Sequence, residues 1–455
     1  MTDSPISTSS ARAAANTVPE HIRRTLKLAW PVILSRVGMI GFLTIDVIVL
    51  GRAGAEELAR YILGLSLSDS LMASMAGLMA GVTVLTARET GAGNDGASGT
   101  ILRRGIVFGV LIGLVTALVL QWAEPMYRGL GQTPALATSA APVTAMVAWA
   151  LPFWAITFAC TMFLEAIHRP LIGTYAVALA NVVNLGLNIV LVFGLGPFPA
   201  MGAVGTAFST VLVGAGMAIG LMLYLYRLLP ERETLGLTGP GSQAPGVGEQ
   251  TRIGLFTGLS YLLEASSFVA TTLMVGWLGT LALATFGISF QILGLGFMVA
   301  FGLAAATQVR VGNAWGRKDP RGMALAGWTG LGLAMGFCLL VSLLALFIPD
   351  TLLRIFSNDM VVIAAASGIL FWVGLALTFD GMQTVMNHAC RGRGDTVVPT
   401  ALHFCSYWLI MVPMVWLLAI YVGQGVPGVF QGILIASIFS TVVLTLRFRS
   451  LARRV

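Results

Sequence analysis

Charge is what this sequence lacks. Only 10% of its 455 residues are Asp, Glu, Lys or Arg, against about 25% in soluble globular proteins. Mean hydropathy is +0.88. Too few polar groups are present to cover a soluble domain, so the chain reads as a polytopic membrane protein. Cysteine is scarce too. Cys160, Cys338, Cys390 and Cys405 sit in or at the ends of apolar runs. They show no metal-ligand spacing and read as small apolar packers. No G-x-x-x-x-G-K-[ST] phosphate loop and no H-E-x-x-H occurs, so neither ATP hydrolysis nor zinc-protease chemistry is expected. Nothing points to an enzyme or to a cofactor. No signal peptide is expected, because the first apolar run, Leu26 to Leu50, is too long for one and no small-residue cleavage site follows. Residues 1–25 are polar and read as a disordered cytoplasmic tail.

What is present is apolar sequence in long runs and abundant glycine, 54 residues of it, which suits closely packed membrane helices. Twelve spans are expected, at approximately 26–50, 58–87, 105–123, 141–164, 171–196, 201–226, 253–278, 281–309, 322–348, 361–388, 397–421 and 428–446. Their connections divide the basic residues unequally. Twenty-one of the 26 Lys and Arg fall on the side of the termini and four on the other, with Arg36 inside the first span. This asymmetry predicts that both termini are cytoplasmic. It also accounts for a net charge of +7 without a nucleic-acid partner.

The longest polar connection, Arg227 to Arg252, is rich in Pro and Gly and reads as a linker. It separates six spans from six. The expected organisation is a tail (1–25), an N-lobe (26–228), a linker (229–252) and a C-lobe (253–455). The halves answer each other at an offset of about 224–226 residues. ARETGAGNDG (Ala87 to Gly96) matches VGNAWGRKDP (Val311 to Pro320), and FLEAIHRP (Phe163 to Pro170) matches HACRGRGDT (His388 to Thr396). An even number of spans per half makes the repeat parallel, with a pseudo-two-fold axis along the membrane normal and an expected cavity between lobes. The fold class is all-α: twelve transmembrane helices in two six-helix lobes. The glycine pairs Gly77/Gly81 and Gly109/Gly113 fit small-xxx-small helix packing rather than ligand loops.

The acids inside spans carry the chemistry. A carboxylate at bilayer depth costs about 2.5–3.5 kcal/mol on insertion scales and is usually functional. Glu264 is central to span 7 and Asp380 to span 10. Burial disfavours their charged form, which poises them to bind a proton or a cation; the competing reading is that each only bonds a neighbouring helix. In the first half, Asp46 lies late in span 1. Asn184 and Asn188 share one face of span 5, Asn181 extends that face, and Thr210 in span 6 adds a hydroxyl. These are the oxygen ligands of a hard cation or the members of a proton network, although Asn pairs also serve as interhelical glue. Na+ is the expected metal if there is one, at Glu264 and Asp380 or at Asp46, Asn184 and Asn188.

Other polar residues admit two readings. Asp69 in span 2 faces a cavity or bonds a nearby hydroxyl. Arg36 snorkels to the interface or pairs with an acid. Glu165 reads as a loop ion-pair partner. His388, two turns beyond Asp380 with Thr384 between, extends a proton path or bonds helix-end carbonyls. Phe290, Phe297 and Met298 line a greasy cavity or simply pack.

The segment DGMQTVMNHACRGRGDT (Asp380 to Thr396) resembles the D-x-x-Q and R-G-x-x-D-T motif of the multidrug and toxic compound extrusion (MATE) transporters of the NorM type. LAWPVILSRVGMIGFLTIDVIVLG, with Pro31 and Asp46, the NVVNLGLN stretch and the Glu264 segment are similar to that family as well. The resemblance implies a twelve-helix antiporter that exports bulky, often cationic or aromatic, drugs in exchange for Na+ or H+. It places cation-binding acids at Glu264 and Asp380, a first-lobe site at Asp46, Asn184, Asn188 and Thr210, and the motif glutamine at Gln383. Arg391, Gly392, Asp395 and Thr396 then form a structural loop closing span 10 onto span 11. The sequence departs from the family at His388, where a small residue is usual, and at Ala376, which offers no extra oxygen. The rival transporter reading is a flippase for lipid-linked saccharides, which needs in-span cations to hold pyrophosphate. A passive channel and an intramembrane enzyme find less in the sequence. The partners expected are drug-like small molecules and the inner-membrane bilayer, with no ATP and a monomeric state.

Overall fold

The computed structural model describes residues 17–239, 241–356 and 359–453. The polar tail lies outside the described residues up to residue 16. Twelve helical spans follow in order. They are α1 (Val18–Ala53), α2 (Glu56–Gly91), α3 (Asp95–Gly129), α4a (Pro134–Ala148) with α4b (Leu151–Ala166), α5 (Pro170–Phe193) and α6 (Gly202–Leu228). After the linker come α7 (Val247–Gly276), α8 (Thr280–Gly316), α9 (Pro320–Phe347), α10a (Met360–Ser367) with α10b (Leu370–Gly392), α11 (Val397–Tyr421) and α12 (Val426–Ala452). Ten of these are single helices among the described residues, and the two pairs bend by 41° and 56°. Helices are the natural solution because lipid offers backbone groups no partners. Proline opens several first turns, where its missing N–H costs nothing; Pro320 does so behind Asp319, whose carboxylate accepts from Gly322 N at 2.8 Å.

The ends depart from the sequence reading. α1 begins at Val18 rather than at residue 26, so the last part of the expected tail is helical. α8 runs to Gly316 rather than to 309. The two extensions support each other: Arg310 of α8 donates to the His21 carbonyl of α1 at 2.9 Å and to the Thr25 hydroxyl.

The repeat is visible in the turns. Gly54 and Gly279, Gly93 and Lys318, and His168 and Gly394 all have positive φ and stand about 225 residues apart. At the α1–α2 and α7–α8 turns the two glycines supply φ values of 140° and 99° that a side chain resists.

The structure comprises two compact units. The N-unit holds Leu34–Thr90 and Asn94–Leu262; the C-unit holds the described residues of 17–33, 91–93 and 263–453. The start of α1 thus belongs to the C-unit and the start of α7 to the N-unit. The N-unit core centres on Met79, Leu85, Trp154, Phe158 and Phe163. The C-unit core centres on Phe286, Leu377, Tyr407 and Phe430, with Phe290 and Phe297 packed on it. The linker is docked rather than loose: Leu235 and Leu237 are buried, and Gly99 N donates to the Leu235 carbonyl at 2.7 Å.

The glycine pairs serve close helix approach. A Cβ at Gly77 would stand 2.7 Å from Gly258 Cα of α7, and one at Gly113 would stand 2.8 Å from Pro152 Cα of α4b. Both obstacles are backbone, which cannot rotate away. Gly113→Ala is therefore expected to destabilise by about 1–3 kcal/mol, the usual cost of overpacking. Gly216→Ala, where nothing lies within 4 Å, is expected to leave the thermal unfolding midpoint in detergent unchanged or raised. Equal midpoints for the two variants would rule out the close packing.

Candidate functional site

Each unit buries a carboxylate among amide and hydroxyl groups. In the N-unit, α1 presents Asp46, which is 4% exposed. Asn184 and Asn188, four apart on α5, both donate to its Oδ1, at 2.9 and 2.6 Å. The hydroxyl of Tyr61 on α2 donates to Oδ2 at 2.5 Å, and Ser209 of α6 donates to Asn184 Oδ1 at 3.0 Å. A carboxylate only accepts, so the amide nitrogens must face Asp46 and the amide oxygens must point away. Asn188 Oδ1 is consequently buried with no partner among the described residues. Thr210 donates to its own helix at the Thr206 carbonyl (3.1 Å) and reaches the cluster beside Tyr61 rather than at Asp46. Asn181 is separate: its amide bonds the Gly38 carbonyl of α1 at 2.9 Å and fastens α5 to α1.

In the C-unit, Asp380 of α10b is 2% exposed. Its Oδ1 accepts from Gln383 Nε2 at 2.7 Å and from Ser437 Oγ of α12 at 3.3 Å. No donor among the described residues meets Oδ2. Gln383 Nε2 also donates to the Tyr407 hydroxyl of α11 at 2.7 Å, and Glu264 of α7 stands within electrostatic reach of that hydroxyl. The two acids are close enough to feel each other's charge. Gln383 Oε1 is buried and unpartnered among the described residues. The C-unit therefore gathers an open carboxylate oxygen, a second acid, an orphaned amide oxygen and a phenol. Unsatisfied buried oxygens of this kind ask for an ion or a water. Among the described residues, no three His, Cys, Asp or Glu side chains converge as a transition-metal site.

Both clusters draw a serine from the last helix of their half, Ser209 on α6 and Ser437 on α12. Sequence reasoning missed the two serines and the two tyrosines. Tyr61 and Tyr407 carry the available signal, since a tyrosine deep in an apolar span must find a partner for its hydroxyl.

Removing the Tyr61 hydroxyl tests the N-unit network. Tyr61→Phe is expected to cost about 1.5–3 kcal/mol, as for a hydrogen bond to a charged group. Much less loss is expected in an Asp46→Asn background, where the acceptor charge is already gone. Equal losses in both backgrounds would mean that the phenol does not act through Asp46.

The remaining polar residues resolve as follows. Asp69 is exposed on α2, two turns from Tyr61, with no hydroxyl partner among the described residues. Arg36 pairs with an acid: its Nη2 lies 3.1 Å from Glu165 Oε1, and the two side chains are 8% and 7% exposed. Glu165 is thus a buried residue of α4b and not part of a loop, because Arg36, entering from α1, supplies the counter-charge. His388 Nδ1 meets the Thr384 carbonyl at 2.8 Å, and its ring sits edge-on to Phe301. Asn387, one residue earlier, pairs with His403 of α11. The loop after α10b is tied to two further helices. Arg393 stacks on Trp315 at 3.2 Å, and Asp395 pairs with Arg447 at 2.7 Å. Arg391 is fully buried.

Comparison with known proteins follows the same plan. A MatE family profile matches residues 31–190 and again residues 257–417, the second match starting 226 residues after the first. A Caulobacter vibrioides protein named "Probable multidrug resistance protein NorM" is 36% identical over 428 residues, covering 94% of this chain and 91% of its own. A Mesorhizobium japonicum protein of the same name is 33% identical over 439 residues, covering 93% and 92%. The crystal structure of the eukaryotic MATE transporter AtDTX14 is similar with a TM-score of 0.86 at 20% identity, covering 96% of this chain and 98% of that one. A MOP superfamily transporter from Pyrococcus furiosus also gives 0.86, at 18% identity, covering 95% and 96%.

Proposed function

This chain belongs to the MatE family, and from that premise we propose that it is a secondary active antiporter exporting bulky cationic or aromatic drugs or toxic metabolites in exchange for inward Na+ or H+. It resides in the inner membrane as a monomer with both termini in the cytoplasm, uses no ATP, and works by rocking-type alternating access. The names of its relatives support multidrug efflux. The C-unit cluster carries the ion coupling. Asp380 holds one oxygen fixed by Gln383 and Ser437 and leaves the other without a donor among the described residues, within electrostatic reach of Glu264. A proton or Na+ arriving there offsets one of the two acid charges and relieves their mutual repulsion, with Gln383 Oε1 and the Tyr407 hydroxyl as further oxygens for a metal cation. When the ion leaves, the like charges favour a cationic replacement, which makes ion and drug occupancy exclusive. The N-unit cluster offers less: three donors already meet Asp46, and only Asn188 Oδ1 stays open.

The lipid-linked saccharide reading needs an in-span cation free to hold pyrophosphate. Arg36, the arginine within an expected span, is engaged by Glu165, which favours the antiporter. The test is efflux of ethidium from proteoliposomes under separately imposed Na+ and pH gradients. Transport under one gradient, collapsing when that gradient is dissipated, names the ion. Folded protein that moves no drug under either gradient would overturn the reading.

A further inference from the structure

We propose that the N-unit carries a binding site for an anionic phospholipid, its phosphate held by Arg103 and Arg104 and one acyl chain lying along the exposed face of α3. The site is independent of the transport reading. At the linker end of α3 a cavity of about 370 Å3 opens between α2, α3 and the start of α7. Leu78, Val107, Phe108, Leu111 and Val247 make its walls apolar, and the two arginines stand within it.

The helical spacing gives the site its direction. Arg103, Val107 and Leu111 follow one another every four residues and so form a stripe about 12 Å long at 1.5 Å per residue. Val107 and Leu111 are each 59% exposed, and Val115, four residues on, is 62% exposed. A charged end followed by an apolar track matches a lipid in both parts; a soluble anion would use only the first.

The charge is uncompensated. Some arginines have acids: Arg88 has Glu249 and Arg169 has Glu231. Among the described residues, neither Arg103 nor Arg104 forms an ion pair. Their partners are neutral: linker carbonyls and the Thr100 hydroxyl. Arg103 Nη1 donates to Gly236 O at 2.9 Å and Leu237 O at 3.3 Å, and its Nη2 donates to Thr100 Oγ1 at 3.1 Å. Arg104 Nη1 donates to Pro245 O at 2.6 Å. These bonds orient the guanidinium groups without neutralising them and leave N–H donors of Arg104 for a phosphate, which arginine suits by its planar fork. Basic pockets between membrane helices at a charged interface are where anionic headgroups bind.

The test is native mass spectrometry of the purified full chain, titrated in detergent with phosphatidylglycerol or with phosphatidylcholine of the same acyl chains. The wild type is expected to prefer phosphatidylglycerol by about tenfold or more, the ratio that one charge-assisted contact supplies. Arg103→Gln/Arg104→Gln, checked for an unchanged unfolding midpoint, is expected to lose the preference, and Arg103→Lys/Arg104→Lys to keep most of it. Leu111→Trp, which fills the apolar track and leaves the arginines and linker untouched, is expected to weaken phosphatidylglycerol binding. A wild type that does not discriminate, a Gln variant that discriminates as well as wild type, or a Leu111→Trp chain that binds as before would each overturn the proposal. So would displacement of the lipid by millimolar inorganic phosphate, which would reduce the site to a free-anion site.

Discussion

Proteoliposomes carrying Asp380→Asn are expected to hold folded protein and to lose ion-driven drug efflux by about tenfold to a hundredfold, the range set by losing one hydrogen-bonded charge. The substitution is nearly isosteric. An asparagine oxygen still accepts from Gln383 and Ser437 at the Oδ1 position, so the local packing survives. At the Oδ2 position, however, an acceptor that no donor meets among the described residues becomes an N–H donor. It can neither take up a proton nor ligate a metal cation, and it removes the charge that alternates between ion and cationic drug. Gln383→Glu is a useful companion, because it keeps an oxygen at Oε1 but places a third acid in the cluster. Downhill drug binding, followed by ligand-induced fluorescence change in detergent, separates loss of coupling from loss of the pocket. Normal gradient-driven export by Asp380→Asn would make the acid structural and remove the C-unit site from the mechanism.

Glu165→Gln is expected to give the largest loss of stability, about 3–5 kcal/mol, because it leaves Arg36 charged and buried without its counter-ion. The pair joins α1 to α4b at 3.1 Å, with both side chains under one-tenth exposed, so no water can replace the lost carboxylate cheaply. The reciprocal change, Arg36→Gln, strands Glu165 in the same way. The double variant is expected to recover much of the loss, since two neutral amides can bond each other. Unfolding midpoints of the three variants in detergent form a double-mutant cycle. Simple additivity would show that the two charges do not act as a pair. Export is measured beside stability, because a pair that only braces α1 on α4b changes the amount of folded protein without changing its ion preference.

The twelve spans were legible because each is a predominantly apolar stretch long enough to cross a bilayer, and hydropathy needs no knowledge of what packs where. The duplication was legible from ARETGAGNDG and VGNAWGRKDP because equivalent turns keep similar polar sequence; Gly93 and Lys318 both take positive φ in them. What hydropathy could not supply was the end of a helix beyond the apolar run. Whether α1 starts at Val18 depends on Arg310, nearly three hundred residues away in sequence.

The acids were legible one at a time, since a carboxylate inside an apolar run costs too much to be accidental. Asp46, Glu264 and Asp380 were found that way. Their company was not, because serine and threonine bond their own helix and occur throughout the spans, and a buried tyrosine signals that it has a partner without naming it. Only side-chain directions on several helices select Tyr61, Ser209, Tyr407 and Ser437 and set Asn181 and Thr210 apart from the carboxylate. The same holds for Arg36. The sequence by itself determined that this is a duplicated twelve-span membrane protein with acids inside its apolar spans, because composition and periodicity are local properties. Tertiary structure alone decided that Arg36 belongs to Glu165, that Asp46 is met by three donors, and that Asp380 keeps one oxygen open. Each of those outcomes depends on which helix faces which, and on where the donors run out.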